Sequence, residues 1–147
     1  MWQIKKHYGH ELGLSACFRQ WRADSHCRHL HGYALAFTFT FECETLNDKQ
    51  WVVDFGGLAG LKQRLAHAFD HRLCVAEDDP CLIHFLNLSG EDCANPIVLP
   101  HVGCERFAEY AFGLAQEELE KLSVNPRVRL ISCECAEHGA NSAVYIP

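Results

Sequence analysis

The sequence lacks most of the patterns that assign a fold or a function directly. It has no Cys-x-x-Cys pair and no apolar run near the ~18 residues that a membrane span needs. It has 13 Lys and Arg against 19 Asp and Glu, a net charge of −6. A zinc ribbon, a membrane span and general nucleic-acid binding are therefore not expected. The first residues contain no apolar signal segment, so a cytoplasmic location is expected.

The nine cysteines are numerous, but they do not read as a disulfide framework. Their number is odd, and no secretory signal accompanies them. We expect most of them to be buried apolar side chains in a reducing compartment, with Cys27 as the exception. The 147 residues, 48% of them hydrophobic, are expected to form one domain over 1–147.

Hydrophobic periodicity predicts four strands and two helices. Large apolar side chains alternate with small or hydroxylated ones from Leu35 to Phe41, which is typical of a half-buried strand. Asp54 is a candidate N-cap for the first helix. The predicted elements are strands at 12–18 and 29–41, helices at 54–69 and 104–122, and strands at 128–135 and 141–146. The segment 72–102 is expected to be a functional loop or to contain a short element.

This order of elements, β-β-α-α-β-β, predicts an α+β fold. Segregated strands and helices favour an antiparallel four-stranded sheet with two helices on one face. Such a sheet leaves exposed edges, which oligomerisation would cover.

The residues with chemical potential lie in six short segments. The second segment joins a cysteine to two histidines in Cys-Arg-His-Leu-His-Gly-Tyr, and the fourth contains an Asp-His pair. The six segments are Leu14–Phe18, Cys27–Tyr33, Val53–Phe55, Phe69–His71, Glu105 and Glu137–Tyr145. In this order and spacing they resemble the 6-pyruvoyltetrahydropterin synthase and 6-carboxytetrahydropterin synthase family over nearly the whole chain.

The resemblance implies a tunnelling fold (T-fold), in which trimers of sheets close into a barrel, two trimers stack into a homohexamer, and active sites lie between subunits. It implies a lyase that acts on a small pterin, 7,8-dihydroneopterin triphosphate. Motif style favours the 6-carboxytetrahydropterin synthase of the 7-deazaguanine (queuosine precursor) pathway. A 6-pyruvoyltetrahydropterin synthase activity, or a catalytically altered pterin- or purine-binding paralogue, remains an alternative.

The resemblance also implies roles for individual residues. Cys27 would be the general base on a side-chain carbon, and His71, oriented by Asp70, its proton partner. Glu137 would anchor the amino-pyrimidine edge of the pterin, with Glu105 assisting. A carboxylate suits this task because it can accept two parallel hydrogen bonds. The alternative for Cys27 is a buried structural thiol, and the alternative for Asp70 and His71 is a charge pair at a helix C-terminus. Glu134 is the alternative to Glu137.

A triphosphate needs cations, and the chain places three arginines within ten residues. Arg19 and Arg22 are the candidate phosphate ligands, close to Arg28. The planar guanidinium fork of arginine matches phosphate oxygens. A solvated basic face is nearly as good an interpretation.

The zinc site that the resemblance implies is altered. The family binds zinc with three histidines, and the corresponding residues here are Phe18, His31 and Tyr33. Phenylalanine cannot ligate a metal, and tyrosine is an uncommon zinc ligand. Zinc is expected on a shifted set in which His29 and His31 are completed by His26, with Cys17 or His10 as other candidates for the remaining ligand. The alternative is a metal-free site in which cationic residues replace the ion. Gly103 stands where the family usually has threonine.

Overall fold

The structure is a computed structural model that describes residues 1–147. The strands are β1 Trp2–Tyr8, β2 Leu14–Phe18, β3 His31–Cys43, β4 Arg72–Ala76, β5 Pro96–Leu99, β6 Val128–His138 and β7 Asn141–Tyr145. The helices are α1 Ala59–Phe69, α2 Leu82–Gly90 and α3 Cys104–Lys121. None of these helices combines the length and the apolar character that crossing a bilayer requires.

The strands form one mixed sheet of seven, in the order β5-β4-β2-β3-β6-β7, with β1 also paired to β3. The β4 strand runs parallel to both β2 and β5, and the other pairs are antiparallel. The α+β class and all six predicted elements are confirmed, but the sheet has seven strands rather than four. Three of the additional elements, β4, α2 and β5, lie in the segment 72–102.

These elements escaped prediction for a physical reason. Four of the five β4 residues are buried, so the strand shows no alternation of polar and apolar side chains. The β5 strand has only four residues, and Pro100 follows it. Short continuous apolar runs do not distinguish a strand from a helix or a loop.

The core lies between the sheet and helices α1 and α3. Phe37, Phe39 and Phe41 alternate along β3 and are fully buried, as their spacing predicts. The rings of Phe37 and Phe69 are 5.0 Å apart, and Phe69 lies 5.2 Å from Phe107 of α3. Burying a phenylalanine side chain contributes about 1.5–3 kcal/mol, so this aromatic stack anchors both helices to the sheet.

Asp54 caps the chain entering α1. Its carboxylate accepts a hydrogen bond from the Gly56 amide at 2.9 Å, as the sequence predicts. The turn that follows is a 3-10 turn over Phe55–Leu58, and the α-helix itself begins at Ala59. Two adjacent glycines weaken regular helix here, which explains the later start.

The two central strands separate at one end of the sheet. Pairing between β3 and β6 ends at Ala36 and Ala136, and a bulge follows in β6 before His138. The first five residues of β3 therefore pair only with β2. We call the opening between this part of β3 and the end of β6, residues 31–35 and 137–138, the strand fork.

Candidate active site

Cys27 lies in a tightly held turn that leads into the strand fork. The turn is a single 3-10 turn over His26–Arg28, and the Ser25 hydroxyl accepts a hydrogen bond from the Cys27 amide at 3.3 Å. The Cys27 carbonyl accepts a hydrogen bond from the Gln20 amide at 2.9 Å. Its side chain is partly exposed. The structure thus holds an accessible thiol on a fixed backbone.

Most of the other cysteines, unlike Cys27, are buried in the core. Five of the nine are buried, namely Cys43, Cys74, Cys104, Cys133 and Cys135. Burial raises the pKa of the Cys74 thiol to about 12, so this residue is an apolar core side chain at neutral pH. The prediction that most cysteines serve as core side chains is confirmed for these five.

The three positions that the resemblance assigns to zinc form an aromatic triangle, Phe18–His31–Tyr33. Phe18 and His31 are directly opposite each other on β2 and β3. The ring of Phe18 lies 4.8 Å from His31 and 6.2 Å from Tyr33, and His31 lies 5.7 Å from Tyr33. His31 also places Nδ1 2.7 Å from the His29 carbonyl oxygen. One imidazole among two carbon rings does not fit a zinc ion.

The shifted ligand set is not assembled in the chain either. His26 and His29 are exposed, and neither joins the aromatic triangle. No three His, Cys, Asp or Glu side chains come together anywhere as a group that could hold a metal ion. The side chains that lie together at this end of β3 are the aromatic triangle, with His31 as its one imidazole.

Tyr33 is the residue around which several predicted site residues gather. Burial raises the pKa of its phenol, and the charges of Glu137, Cys27 and Cys104 raise it further. Its ring lies 5.8 Å from that of His138, across the strand fork. The phenol is therefore neutral at physiological pH and can donate a hydrogen bond. The sequence motif marks Tyr33 only as a departure, so its central place comes from the structure.

Glu137 offers an unused carboxylate at the strand fork. It lies at the bulge of β6, between the paired residues Ala136 and His138, and is partly buried. No side chain or amide of the chain donates a hydrogen bond to it, so its oxygens are free for a ligand. Glu134 lies farther along β6, opposite Thr38, and is not among the charges that act on Tyr33. The two glutamates therefore differ in position, and only Glu137 has its charge near Tyr33.

Asp70 and His71 form a hydrogen-bonded pair at the entrance of β4. The Asp70 Oδ1 atom lies 2.7 Å from His71 Nδ1, which leaves His71 Nε2 free. The His71 side chain is 86% exposed, and its backbone is left-handed with φ of 54°. A non-glycine residue in this conformation costs roughly 1 kcal/mol or more and often marks a functional site.

The pair does not meet the strand fork within one chain. Arg72 follows it and is aligned with Ala16 of β2, which is aligned with Tyr33 of β3. Strands are about 4.8 Å apart, so this row separates the start of β4 from Tyr33 by about 10 Å. No hydrogen bond links Asp70 or His71 to Cys27, Tyr33 or Glu137.

The two arginines predicted to bind phosphate have carboxylate partners. Arg19 donates two hydrogen bonds to Asp79, at 2.8 and 2.6 Å, and Arg22 donates one to Asp78 at 2.9 Å. The hydrogen bond from Arg19 lowers the pKa of Asp79, which is 5% exposed. Sequence reasoning missed both acidic partners because they are separated from the arginines by more than 50 residues.

Gln20 fills the space beside Gly103, at the start of α3. Gly103 has a φ of 113°, and a Cβ atom there would overlap the side-chain nitrogen of Gln20. That nitrogen donates to the Val102 carbonyl at 3.0 Å. Next to it is a cavity of about 320 Å³ that includes Glu105 and Arg22 in its lining. Glu105, exposed in the first turn of α3, thus lies beside a cavity, but Glu137 and Cys27 do not line it.

Comparisons with known proteins support one family. A family model described as 6-pyruvoyl tetrahydropterin synthase matches residues 9–147. A 6-carboxy-5,6,7,8-tetrahydropterin synthase from Aquifex aeolicus is 22% identical, over 98% of this chain and 97% of the relative.

Solved structures support the same fold. An uncharacterized protein from Wolinella succinogenes superposes with a TM-score of 0.78 at 20% identity, over 99% of this chain and 97% of that one. The 6-pyruvoyl tetrahydropterin synthase of Plasmodium falciparum superposes with a TM-score of 0.65 at 15% identity, over 97% and 96%. The predicted tunnelling fold is confirmed by these neighbours.

Proposed function

The chain belongs to the 6-pyruvoyl tetrahydropterin synthase family, and we propose that it is a 6-carboxytetrahydropterin synthase-like lyase acting on 7,8-dihydroneopterin triphosphate. A pterin synthase-like enzyme is supported by the family match and by the Aquifex aeolicus relative. To this the proposal adds the substrate and a place in the supply of 7-deazaguanine (queuosine) precursors.

One observation carries the proposal: a partly exposed thiol, an unoccupied carboxylate and a phenol converge on the strand fork. Glu137 and Cys27 both act electrostatically on Tyr33, and Glu137 has no partner within the chain. A pterin presents an amino-pyrimidine edge that donates two parallel hydrogen bonds, which a free carboxylate accepts. With the ring held by Glu137, its side chain would extend towards Cys27.

The proposed chemistry is a proton removal followed by an elimination. The Cys27 thiolate takes a proton from a carbon of the pterin side chain and becomes a thiol. The electron pair of that C–H bond forms a new double bond, and the bond to the triphosphate oxygen breaks with its electrons remaining on the triphosphate. A 6-carboxy product further requires water to add to the side-chain carbonyl next to the ring, after which the adjacent C–C bond breaks and a two-carbon aldehyde leaves. His71, held by Asp70 through Nδ1, carries protons on the free Nε2 atom.

We further propose that the active site is completed by a second copy of the chain. No hydrogen bond links the Asp70–His71 pair to Cys27 within one chain, and on this proposal a neighbouring copy supplies one of the two. The outer edges of β1 and β7 pair with no other strand. Large apolar side chains are exposed near both edges, namely Trp2, Trp51 and Phe55 near β1 and Val144 and Ile146 near β7. A homo-oligomer, trimer or hexamer, would cover them.

Two alternatives share the same fold. A 6-pyruvoyltetrahydropterin synthase would use the same base and differ in its product. A pterin- or purine-binding paralogue without turnover is favoured by one observation, the replacement of two metal-binding positions by Phe18 and Tyr33. Zinc on His26, His29 and His31 would require these side chains to rearrange, since the structure does not group them.

The test is turnover of 7,8-dihydroneopterin triphosphate, followed by mass spectrometry of the pterin products and by triphosphate release. We expect a 6-carboxy product from the wild-type protein, with or without added zinc. Cys27→Ala should lower kcat by at least about 100-fold, since general acid–base catalysis contributes on that order. Cys93→Ala is the matched control, because Cys93 is exposed and lies after α2, outside the site.

Each other result selects another interpretation. A 6-pyruvoyl product would identify the sister activity. Binding without turnover, unchanged in Cys27→Ala, would identify a binding paralogue. An unchanged substrate that also fails to bind would refute a pterin function altogether.

A further inference from the structure

We propose that the phenol hydroxyl of Tyr33, rather than a metal ion, binds the side-chain oxygen of the pterin in this protein. The proposal rests on the proposed function, and it adds a specific group to that site. It is carried by the geometry of the aromatic triangle and by the position of Tyr33 across the strand fork from His138.

The aromatic triangle has the dimensions of a metal site but not its donors. Its three ring-to-ring distances are 4.8, 5.7 and 6.2 Å. Three imidazoles bound to one zinc at about 2.1 Å place their ring centres about 5 Å apart. The backbone of β2 and β3 thus holds the three rings near that spacing, and the Phe18–Tyr33 distance is the longest of the three. Phe18 is 1% exposed and closes one corner with carbon atoms alone.

Tyr33 is the one corner that presents a polar hydrogen to the strand fork. His31 has Nδ1 against the His29 carbonyl, and Phe18 has no polar atom. Tyr33 faces His138 across the strand fork and makes no hydrogen bond within the chain. A partly buried hydroxyl without a partner can donate to a ligand at little cost in reorganisation.

A neutral hydrogen-bond donor, the Tyr33 hydroxyl, is consistent with the way charge moves in the proposed reaction. Before proton removal the negative charge is on the Cys27 thiolate. Afterwards Cys27 is a neutral thiol, and charge develops on the pterin side chain, where its oxygen becomes a stronger acceptor. The Tyr33 hydroxyl donates a hydrogen bond to that oxygen and keeps its own proton throughout. Fixed donors directed at developing charge are a large source of rate enhancement.

The first experiment measures zinc without any need for activity. The wild-type protein, dialysed against zinc and then freed of loosely bound ion, should hold no stoichiometric zinc by elemental mass spectrometry. The variant Phe18→His with Tyr33→His should bind about one ion per chain, because it places three imidazoles on the existing triangle. Since Phe18 is buried, Tyr33→His alone serves as a second variant, and we expect its affinity for zinc to exceed that of the wild type.

The second experiment separates the pterin ring from its side chain by equilibrium binding. The probes are 7,8-dihydroneopterin, which carries side-chain hydroxyls, and 6-methyl-7,8-dihydropterin, which carries none. Tyr33→Phe should weaken binding of dihydroneopterin by about fivefold to tenfold, the value of one hydrogen bond, and leave the methyl compound unchanged. Tyr110→Phe is the control, because Tyr110 packs on Phe69 and away from the strand fork.

The outcomes distinguish this inference from the proposed function. If the wild type binds neither pterin, both the proposed function and the role of Tyr33 are refuted. If it binds both pterins and Tyr33→Phe leaves their ratio unchanged, only the role of Tyr33 is refuted. Stoichiometric zinc in the wild-type protein would also overturn the inference, whatever the pterins do.

Discussion

The two halves of β3 use the same alternating pattern for different purposes. From Phe37 to Cys43 the strand pairs with β1 on one side and β6 on the other, and its phenylalanines are fully buried. From His31 to Leu35 it pairs only with β2, and His31 and Tyr33 stay partly exposed. The proposed site therefore lies where pairing with β6 ends, since the side chains of His31 and Tyr33 stay accessible there.

The largest effect is expected in the fully paired half. Phe39→Ala should lower the free energy of unfolding by about 3–5 kcal/mol, because it removes a ring with no exposed surface and leaves a cavity. Urea denaturation measures this change. Tyr33→Ala, in the other half of β3, should lower the free energy of unfolding by less, because the Tyr33 side chain is already partly exposed to solvent. Equal losses would contradict the division of β3 into a core half and a site half.

A smaller effect on stability is expected at the Arg19–Asp79 ion pair, which holds the segment after β2. Asp79→Asn should lower the free energy of unfolding by about 2–3 kcal/mol, because it breaks the paired hydrogen bonds to Arg19. Asp78→Asn is the matched control, and its exposed contact with Arg22 should matter less. If the two variants were equally stable, the Arg19–Asp79 pair would have no special role.

The same pair predicts a pH dependence of stability. Arg19 lowers the pKa of Asp79 in the folded protein, so the ionised carboxylate favours the folded state. This contribution is fully present above the ordinary aspartate pKa of about 3.9 and is lost as the pH falls through the lower, folded-state pKa. Asp79→Asn should therefore flatten the acid side of the stability curve, and a wild-type slope in the variant would contradict it.

Substitutions at the strand fork should change ligand binding rather than stability. Glu137→Gln should weaken binding of 7,8-dihydroneopterin by about 30-fold, or about 2 kcal/mol, because a charged acceptor is replaced by an amide. Its free energy of unfolding should stay near that of the wild type, since Glu137 has no partner in the chain. Glu134→Gln is the control and should change neither quantity. A stronger effect at Glu134 would transfer the anchor to that residue.

The smallest effect concerns the backbone between the site and α3. Gly103→Ala should cost about 1–2 kcal/mol, because φ of 113° is unfavourable for alanine and the new Cβ meets Gln20. Gly113→Ala, inside α3 with open space around its Cβ, should instead stabilise the protein by up to about 1 kcal/mol. The two variants should therefore shift the midpoint of thermal unfolding in opposite directions, and shifts of the same sign would contradict the prediction.

Parts of the fold were predictable because their signals are local. The alternation of β3, the Asp54 cap and the helix at 104–122 each depend on neighbouring residues, and the structure confirms all three. The strands β4 and β5 were missed, because short strands and strands buried on both faces have no distinct period. The strand β1 was missed because Lys6 interrupts the alternation of Trp2, Ile4 and Tyr8. A shared site for Cys27 and Glu137 was only implied by resemblance, since 110 residues separate them. The central place of Tyr33 came from the structure.

The sequence by itself determined the α+β order, the family resemblance and the identity of the reactive groups, because these depend on residue type and spacing. Only the tertiary structure decided which of those groups are available. It paired Arg19 and Arg22 with Asp79 and Asp78, left Glu137 unpaired at a bulge, and packed Phe18 against His31 and Tyr33. The physical reason is that a charge or a ring acquires its role from the partners that long-range strand pairing brings to it.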